Sequence, residues 1–519
     1  MAAENISHEP KALTAPADGL EMQKSKVDAA STTLEASGDV EIQAAHEPEK
    51  TYYSKLSVWI VVLFSGLAIG SDGYNAAVIG NVELLLAVLY PEALTDAIYD
   101  RLSNAFLIGM ILGMLLFGVV VDQLGRKTGA VATTTLLVLG IVLSAAASGA
   151  SPTGMFWMLI VARGVAGVGA GGEYPVSGAG AAEATDESNQ YRKHRGFMFA
   201  MLADLSSSLV YVWGGLVPLL LLLCVGQEVE KYDIVWRTSF ALGLVPPLVI
   251  FWFRLKMAVS TAYRKSALRK QPTPYLLAIK RYHRPLIGCA TTWFLYNWIS
   301  IPFGIFSSTI ISRVIGDDPN LARVFGWGTV INCFYIPGPF IGGYLSDRIG
   351  RRKTMALGFS LQAAMGFILG GAIFPIQNIF PLFVVLYGVF LTLGEVGPGS
   401  TVVLTASECF PTSIRGQMMG FIAACSKAGA AIGTQVFTAI LNAYATDPSK
   451  GNQVAFLIGS AFAVLGALVA FFVIPEVSRK LDDDDRDWKA YLSQHGFEGS
   501  WGDATTQDPA GVVLNQRGS

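Results

Sequence analysis

Residues 118–127 read GVVVDQLGRK, and residues 343–352 read GYLSDRIGRR. The matched positions are two glycines, an acid and an arginine in each copy: Gly118, Asp122, Gly125 and Arg126 in the first, and Gly343, Asp347, Gly350 and Arg351 in the second. Every matched pair keeps one offset of 225 residues, and so do Glu183 and Glu408. A shared offset over this distance predicts two halves of related structure.

The composition around the repeat is that of a polytopic membrane protein. Of the 519 residues, 52% are hydrophobic and 15% are charged, and the charges cluster between long apolar runs. The runs lie at 57–80, 102–121, 129–149, 155–176, 196–225, 236–254, 285–312, 324–346, 354–374, 380–404, 416–441 and 453–474. They predict an all-α membrane protein with twelve transmembrane helices in two six-helix halves. Two halves in the same orientation are a plan of secondary transporters, whose site lies between them near the midplane.

Lysine and arginine are concentrated in the loops after the second, fourth, eighth and tenth runs and in the central linker. By the positive-inside rule these segments are cytoplasmic, and so are both termini. The predicted organisation is a disordered tail (1–54), an N-terminal bundle (55–254), a basic cytoplasmic linker (255–284), a C-terminal bundle (285–475) and a charged, mobile tail (476–519). We expect a monomer in the plasma membrane.

The fourth run leads into a glycine-dense stretch, RGVAGVGAGGEYPVSGAGAAE, at residues 163–183. Its glycines let a neighbouring helix or a ligand approach the backbone closely. Arg163 and Tyr174 are eleven residues apart, about three helical turns, so both lie on one stripe of the helix. Ionisable groups in a spanning helix usually face a polar cavity or a partner. This helix is therefore predicted to line a transport pathway.

The repeated GxxxDxxGRK motif resembles the signature of the major facilitator superfamily, and the resemblance covers roughly residues 56–476. Within that superfamily, GGEYPVS at 171–177 resembles the phosphate:proton symporter branch. Among the members of this branch, the chain resembles fungal glycerophosphodiester permeases most, because of this stretch together with DGYN at 72–75 and FGIFSS at 303–308. The resemblance implies the twelve-helix fold and proton-coupled transport of a phosphate compound.

The resemblance also implies which residues bind the substrate. Lys427 is the direct countercharge for phosphate, because an ammonium in a low-dielectric site gains most by pairing with an anion. The phenol of Tyr174 donates to phosphate oxygens without adding charge, and Trp293 matches a binding residue of the family. An alternative for Lys427 is a permanent ion pair with Glu395.

Several positions depart from the phosphate-transporting relatives. Asn75 and Asn297 stand where those relatives usually have Asp, and Ile301 where a Tyr is common. These departures leave a more neutral pocket, which suits a larger, singly charged phosphodiester. Asp204 falls near a binding Gln of the relatives. It is either a second proton site or a contact to substrate hydroxyls.

Proton coupling is predicted at Asp72, Arg163 and Glu173. Loss of hydration favours the neutral form of a carboxyl, so Asp72 in the first span is a proton-binding candidate. The alternative is that Asp72 only caps a helix or forms a structural pair. Arg163 resembles the arginine that pairs with a first-span carboxylate in proton-coupled relatives, and protonation of Asp72 would break that pair. Glu173 is either a proton site or a gate residue. Four buried acids face two buried bases, so some of the acids must carry protons.

The sequence therefore predicts a symporter that imports an organic phosphate, a glycerophosphodiester such as glycerophosphoinositol, together with protons across the lipid bilayer by alternating access. The alternatives are an inorganic phosphate symporter, a sugar or polyol porter, and a non-transporting nutrient receptor. The two motif copies are predicted to clamp the cytoplasmic face, with Arg at helix C-termini and Asp at helix N-termini. The sequence contains no Walker loop, nucleophile elbow or metal-spaced His/Cys cluster. We therefore expect no catalytic residue, metal, cofactor or nucleic-acid partner.

Overall fold

The computed structural model describes residues 73–124, 126–173, 195–255, 274–316, 320–411, 413–476 and 481–497. The helices of the first half are α1 (Gly73–Leu89), α2 (Asp96–Leu124), α3 (Arg126–Ala145), α4 (Pro152–Glu173), α5 (Leu205–Val225) and α6, which has two parts (Tyr232–Leu242 and Val245–Leu255). A short helix (Arg195–Phe199) and a π-helical turn (Ala200–Asp204) lead into α5.

The second half repeats this plan. Its helices are α7 (Tyr275–Ile305 and Ser307–Ile315), α8 (Leu321–Cys333 and Pro337–Ile349), α9 (Arg351–Gly371), α10 (Phe380–Gly394, Glu395–Gly399 and Ser400–Glu408), α11 (Arg415–Ala443) and α12 (Pro448–Phe472). The middle part of α10 is a π-helical turn, and the two parts of α7 are bent by 53°. A further helix, α13, spans Leu481–Gln494.

Nine spans in the described part of the chain are long and apolar enough to cross a membrane, and the bent α7 makes a tenth. The remaining two helices are α1, described from Gly73 onward, and α11, which has 29 residues and carries the polar Lys427. Six helices precede the linker and six follow it. The predicted all-α, twelve-helix fold is confirmed.

The glycine-dense helix α4 lies against α2 and α3 at backbone distance. A Cβ atom at Gly171 would collide with the carbonyl oxygen of Met110 in α2. A Cβ at Gly169 would collide with the backbone of Leu137 in α3. Small residues allow this close approach between transmembrane helices. At these two positions the space beside the glycine is filled by a neighbouring helix.

Two segments differ from the predicted organisation. The first turns of α7, from Tyr275 to the kink at Tyr282 (φ −106°, ψ 16°), form a short helix within the predicted linker, and α13 lies in the tail that was predicted to be mobile. The Trp488 side chain of α13 is buried, and its ring centroid lies 5.6 Å from that of Tyr282 in α7. The prediction of a mobile tail is therefore wrong for residues 481–494. The run of aspartates is typical of a solvated tail, but Trp488 and Leu492 are four residues apart and form an apolar face of this helix.

Candidate functional site

Arg163 is buried in the middle of α4 and joins several helices of the first half. Its Nε donates a hydrogen bond to the carbonyl oxygen of Leu102 in α2, and its Nη1 donates to that of Asn75 in α1, both at 3.3 Å. The rings of Phe106 and Phe240 each lie 5.5 Å from the guanidinium carbon. Two carbonyl oxygens and two aromatic rings stabilise the cation where water is excluded.

An acid of α1, Glu83, lies in the same region. It is fully buried, and Ser103 of α2 donates a hydrogen bond to its Oε1 at 2.5 Å. The Tyr99 phenol and the Arg163 guanidinium lie close enough to act on the Glu83 carboxyl electrostatically. Glu83 was not among the residues predicted from the sequence, because the first apolar run was taken to end at residue 80. The apolar LLLAVL at 84–89 could have revealed that the helix continues past Glu83.

Three predicted site residues, Asp72, Tyr174 and Gly125, lie outside the described residues, and their roles stay predictions. Glu173 is described, at the end of α4, where it is buried. Its Oε1 accepts hydrogen bonds from Thr133 at 3.0 Å and from Thr134 at 3.1 Å, both in α3. These two hydroxyls hold the carboxyl against α3, within the first half.

The carboxyl groups of Asp204 and Glu395 meet between the two halves. Asp204 ends the π-helical turn before α5, and Glu395 begins the π-helical turn of α10. The two carboxyl groups lie close enough to interact with each other, and the Tyr296 hydroxyl of α7 donates a hydrogen bond to Glu395 Oε1 at 2.5 Å. The partners of Glu395 are thus Asp204 and Tyr296, and not Lys427 as in the alternative considered above. π-Helical turns are frequent at functional sites.

Three predicted substrate-binding residues are buried on α7 and α11. Trp293 and Asn297 of α7 are each 4% exposed, and Lys427 of α11 is 7% exposed. Asn297 Nδ2 donates to the Oγ of Ser426 at 3.0 Å, one residue before Lys427. Because Asn297 also follows Tyr296 directly, the acid pair and the lysine belong to one central region. This region thus combines a cationic side chain, carboxyl groups and neutral polar groups.

The second motif copy contacts the first half at one end of the molecule, called here the motif end and defined by residues 343–352. The backbone N–H groups of Gly196 and Phe197 donate to Asp347 Oδ1 and Oδ2, both at 2.9 Å. A carboxylate at a helix N-terminus is stabilised by the helix dipole. Gly343 lies at the same crossing, where an added Cβ would be 2.9 Å from that of Ala200.

Arg351 completes this contact from within the second half. Its Nη1 donates to the carbonyl oxygen of Ser346, near the end of α8, at 3.0 Å. Its Nε lies 3.3 Å from Glu408 Oε2, at the end of α10, and its Nη1 lies 3.3 Å from Asp347 Oδ1. Gly350 has a φ of +93°, which favours glycine. The loop therefore holds Asp347 in place for its contact with the first half.

The first motif copy also lies at a crossing between the halves. A Cβ added to Gly118 of α2 would be 3.6 Å from the Cα of Gly420 in α11. Asp122 and Arg126 lie in α2 and α3. The small residues at positions 118 and 420 allow the two helices to approach closely.

The halves also meet at the end opposite to the motif end. The rings of Tyr99 in α2 and Phe306 in α7 are stacked, with centroids 6.3 Å apart. Contacts at both ends leave Asp204, Glu395 and their neighbours enclosed between the halves.

Comparisons with known proteins agree with this architecture. A model of the family described as sugar (and other) transporter matches residues 58–271 and 261–488. The chain belongs to this transporter family. It is a multi-pass membrane transporter and not an enzyme. The structure also resembles the proton:xylose symporter XylE from E. coli bound to 6-bromo-6-deoxy-D-glucose, with a TM-score of 0.68 and 19% identity over 84% of this chain and 100% of that one. This resemblance concerns the fold alone.

Proteins that are related in sequence indicate which branch of this transporter family the chain resembles. Glycerophosphoinositol permease 1 of Candida albicans is 39% identical over 86% of this chain and 84% of that protein. Glycerophosphoinositol transporter 1 of Saccharomyces cerevisiae is 34% identical over 91% of this chain and 90% of that protein. A probable inorganic phosphate transporter 1-12 of Oryza sativa is more distant, with 26% identity over 81% of this chain and 90% of that protein. The resemblance to fungal glycerophosphodiester permeases of the major facilitator superfamily is confirmed.

Proposed function

We propose that the chain is a proton-coupled secondary active transporter that imports a glycerophosphodiester such as glycerophosphoinositol by alternating access. The observation that carries the proposal is the identity of 34–39%, over more than four-fifths of each chain, to proteins named as glycerophosphoinositol transporters. In this proposal the protein is a monomer of the plasma membrane with both termini in the cytoplasm.

The central side chains suit this substrate. A phosphodiester carries one negative charge, and Lys427 supplies one positive charge beside the Asn297–Ser426 contact. In the proposal Trp293, Asn75 and Tyr174 complete the phosphate side of the site. Hydroxyl groups of the substrate bind carboxylate oxygens, which accept hydrogen bonds only.

Proton coupling is supported by the balance of buried charges. The described acids that are buried or partly buried in the helices include Glu83, Glu173, Asp204, Glu395 and Glu408, whereas the buried cations are Arg163, Arg415 and Lys427. Unpaired buried charges are costly, so some of these acids carry protons. In the proposal Asp72, Arg163 and Glu173 pass the proton to the transport cycle, and Glu83 joins them because it acts on Arg163.

Alternating access requires that the contacts at the two ends open in turn. The Asp347 contact with Gly196 and Phe197 closes the motif end, and the stacking of Tyr99 on Phe306 closes the opposite end. In the proposal, substrate and proton binding between the halves change which of these contacts is the more stable. A ligand shifts such an equilibrium only through different affinities for the two states.

The substrate assignment is tested with the purified full-length protein in proteoliposomes. Uptake of labelled glycerophosphoinositol is measured under an inward proton gradient, with an excess of unlabelled glycerophosphoinositol, glycerophosphocholine or inorganic phosphate. We expect the glycerophosphodiesters to compete and inorganic phosphate to leave uptake unchanged. Strong competition by inorganic phosphate would favour the inorganic phosphate symporter. Failure to accumulate any of these labelled compounds would contradict a transport function for them.

A further inference from the structure

The contact between Asp204 and Glu395 brings two acids together from different halves of the protein. Glu395 is 5% exposed, and Asp204 is partly buried with its Oδ2 atom enclosed. Each acid lies in a π-helical turn in a long spanning helix. The two turns belong to different halves, so the contact exists only while the halves are together at this level.

The carboxyl of Glu395 is held in a narrow slot. A Cβ atom at Gly399 would collide with Glu395 Oε2 and would lie 2.8 Å from the Tyr296 hydroxyl. A Cβ at Gly338 of α8 would collide with the Cβ of Glu395. Tyr296 fixes the other carboxyl oxygen through its hydrogen bond at 2.5 Å. Two glycines and a phenol thus position this carboxyl toward Asp204.

The chemistry of the pair requires a proton. A carboxylate without a proton is an acceptor only, so a hydrogen bond between two carboxyl groups needs a proton on one of them. In the part of the chain that the structure describes, no basic side chain forms an ion pair with either acid. Among the described residues, the other titratable groups that act electrostatically on the pair are phenols: Tyr211 from α5, Tyr296 from α7 and Tyr335 from α8. Two negative charges in contact here would repel each other strongly, since the low dielectric screens them little.

We propose that Asp204 and Glu395 share one proton while the two halves are closed around the central region, and that this pair is a binding site for the symported proton. The inference rests on the proposed function, because it assigns a location to the coupled proton. Loss of the proton converts an attraction between the halves into a repulsion. It also leaves carboxylate oxygens that can accept hydrogen bonds from the hydroxyl groups of a glycerophosphodiester.

This site is distinct from the one built around Arg163. Arg163, Glu83 and the predicted Asp72 all belong to the first half, so their protonation acts within one bundle. The Asp204–Glu395 proton lies across the boundary between the bundles. The presence of this proton therefore directly affects whether the two bundles can separate.

A vibrational experiment tests the shared proton without transport. Infrared difference spectra of the purified wild-type protein between low and high pH contain the C=O stretching band of protonated carboxyl groups. We expect Glu395→Gln and Asp204→Asn each to remove the same component of this band, and the double variant to remove no more than either single variant. Glu476→Gln changes a surface acid paired with Arg352 and should leave that component in place. A double variant that removes twice the component, or single variants that remove none, would overturn the inference.

A transport experiment separates this inference from the proposed function. At clamped membrane potential and an inward gradient of about one pH unit, one coupled proton supports roughly tenfold accumulation of a singly charged substrate. We expect this accumulation of glycerophosphoinositol in the wild type and only equilibration in Glu395→Gln. Equal accumulation by both proteins would overturn the inference alone. Absence of accumulation in the wild type would overturn the proposed coupling and with it the inference. A thermal melting curve confirms that the variant is folded.

Discussion

The Asp347 contact at the motif end allows a quantitative prediction. Asp347→Asn keeps the size of the side chain but removes its charge and one acceptor oxygen. In the wild-type protein, the Asp347 carboxylate accepts two backbone hydrogen bonds at 2.9 Å from the first half and pairs with Arg351 at 3.3 Å. A hydrogen bond to a charged group contributes about 1.5–3 kcal/mol. The variant retains one acceptor, so we expect the closed motif end to lose about 2 kcal/mol, or roughly 30-fold in the closed-to-open equilibrium.

The assay measures how fast a buried cysteine reacts. Ala200 is fully buried at the crossing with Gly343, so Ala200→Cys in a background without the five native cysteines reports separation of the halves. We expect maleimide labelling to be roughly 30-fold faster when Asp347→Asn is added, because the rate follows the open population when closing is fast. Arg352→Gln is the matched control, since its partner Glu476 lies in the same half at 3.3 Å. Equal rates in the wild-type and Asp347→Asn backgrounds, or an equal rise in the control, would refute the reasoning.

Three further predictions concern stability and binding. Gly171→Ala should lower stability by about 1–3 kcal/mol through its collision with the Met110 carbonyl. A Cβ at Gly371 meets nothing within 4 Å, so Gly371→Ala should leave the stability unchanged. Equal melting temperatures of the two variants in detergent would contradict this prediction. Arg163→Ala should lower the stability by about 3–5 kcal/mol because it leaves buried partners unpaired. Adding Glu83→Gln should recover part of this loss in the same melting assay. An absence of recovery would argue against the electrostatic contact between Arg163 and Glu83. Lys427→Ala should weaken glycerophosphoinositol binding by about 1.5–3 kcal/mol, or roughly 10- to 150-fold, and calorimetry showing unchanged affinity would remove Lys427 from the site.

Much of the fold was predictable because membrane spans and internal repeats are local properties of a sequence. The ends of α9, α10 and α11 lie within a few residues of the predicted apolar runs. Prediction was poorest where polar residues continue a helix. Asn81 and Glu83 ended the first run, although α1 continues to Leu89. In α13, Trp488 is buried by contact with α7, which the acidic surroundings of that residue did not indicate.

The candidate site was predictable only in part. Asp204 and Glu395 could be named as acids inside spans, but their contact could not, since it depends on how two helices 191 residues apart in the chain are rotated toward each other. The π-helical turns that carry the two acids have no distinctive sequence pattern in this chain. The sequence paired Glu395 with Lys427 as an alternative, because opposite charges are the simplest partners. The structure pairs Glu395 with another acid and a phenol instead.

The most direct measurement of the central claim is proton movement caused by the substrate alone. Proteoliposomes containing the wild-type protein and a trapped pH-sensitive dye start with equal pH on both sides and a clamped membrane potential. Glycerophosphoinositol is then added outside. The account predicts that the interior acidifies as the substrate enters and that liposomes without protein show no change. Entry of labelled glycerophosphoinositol with a constant internal pH would contradict it.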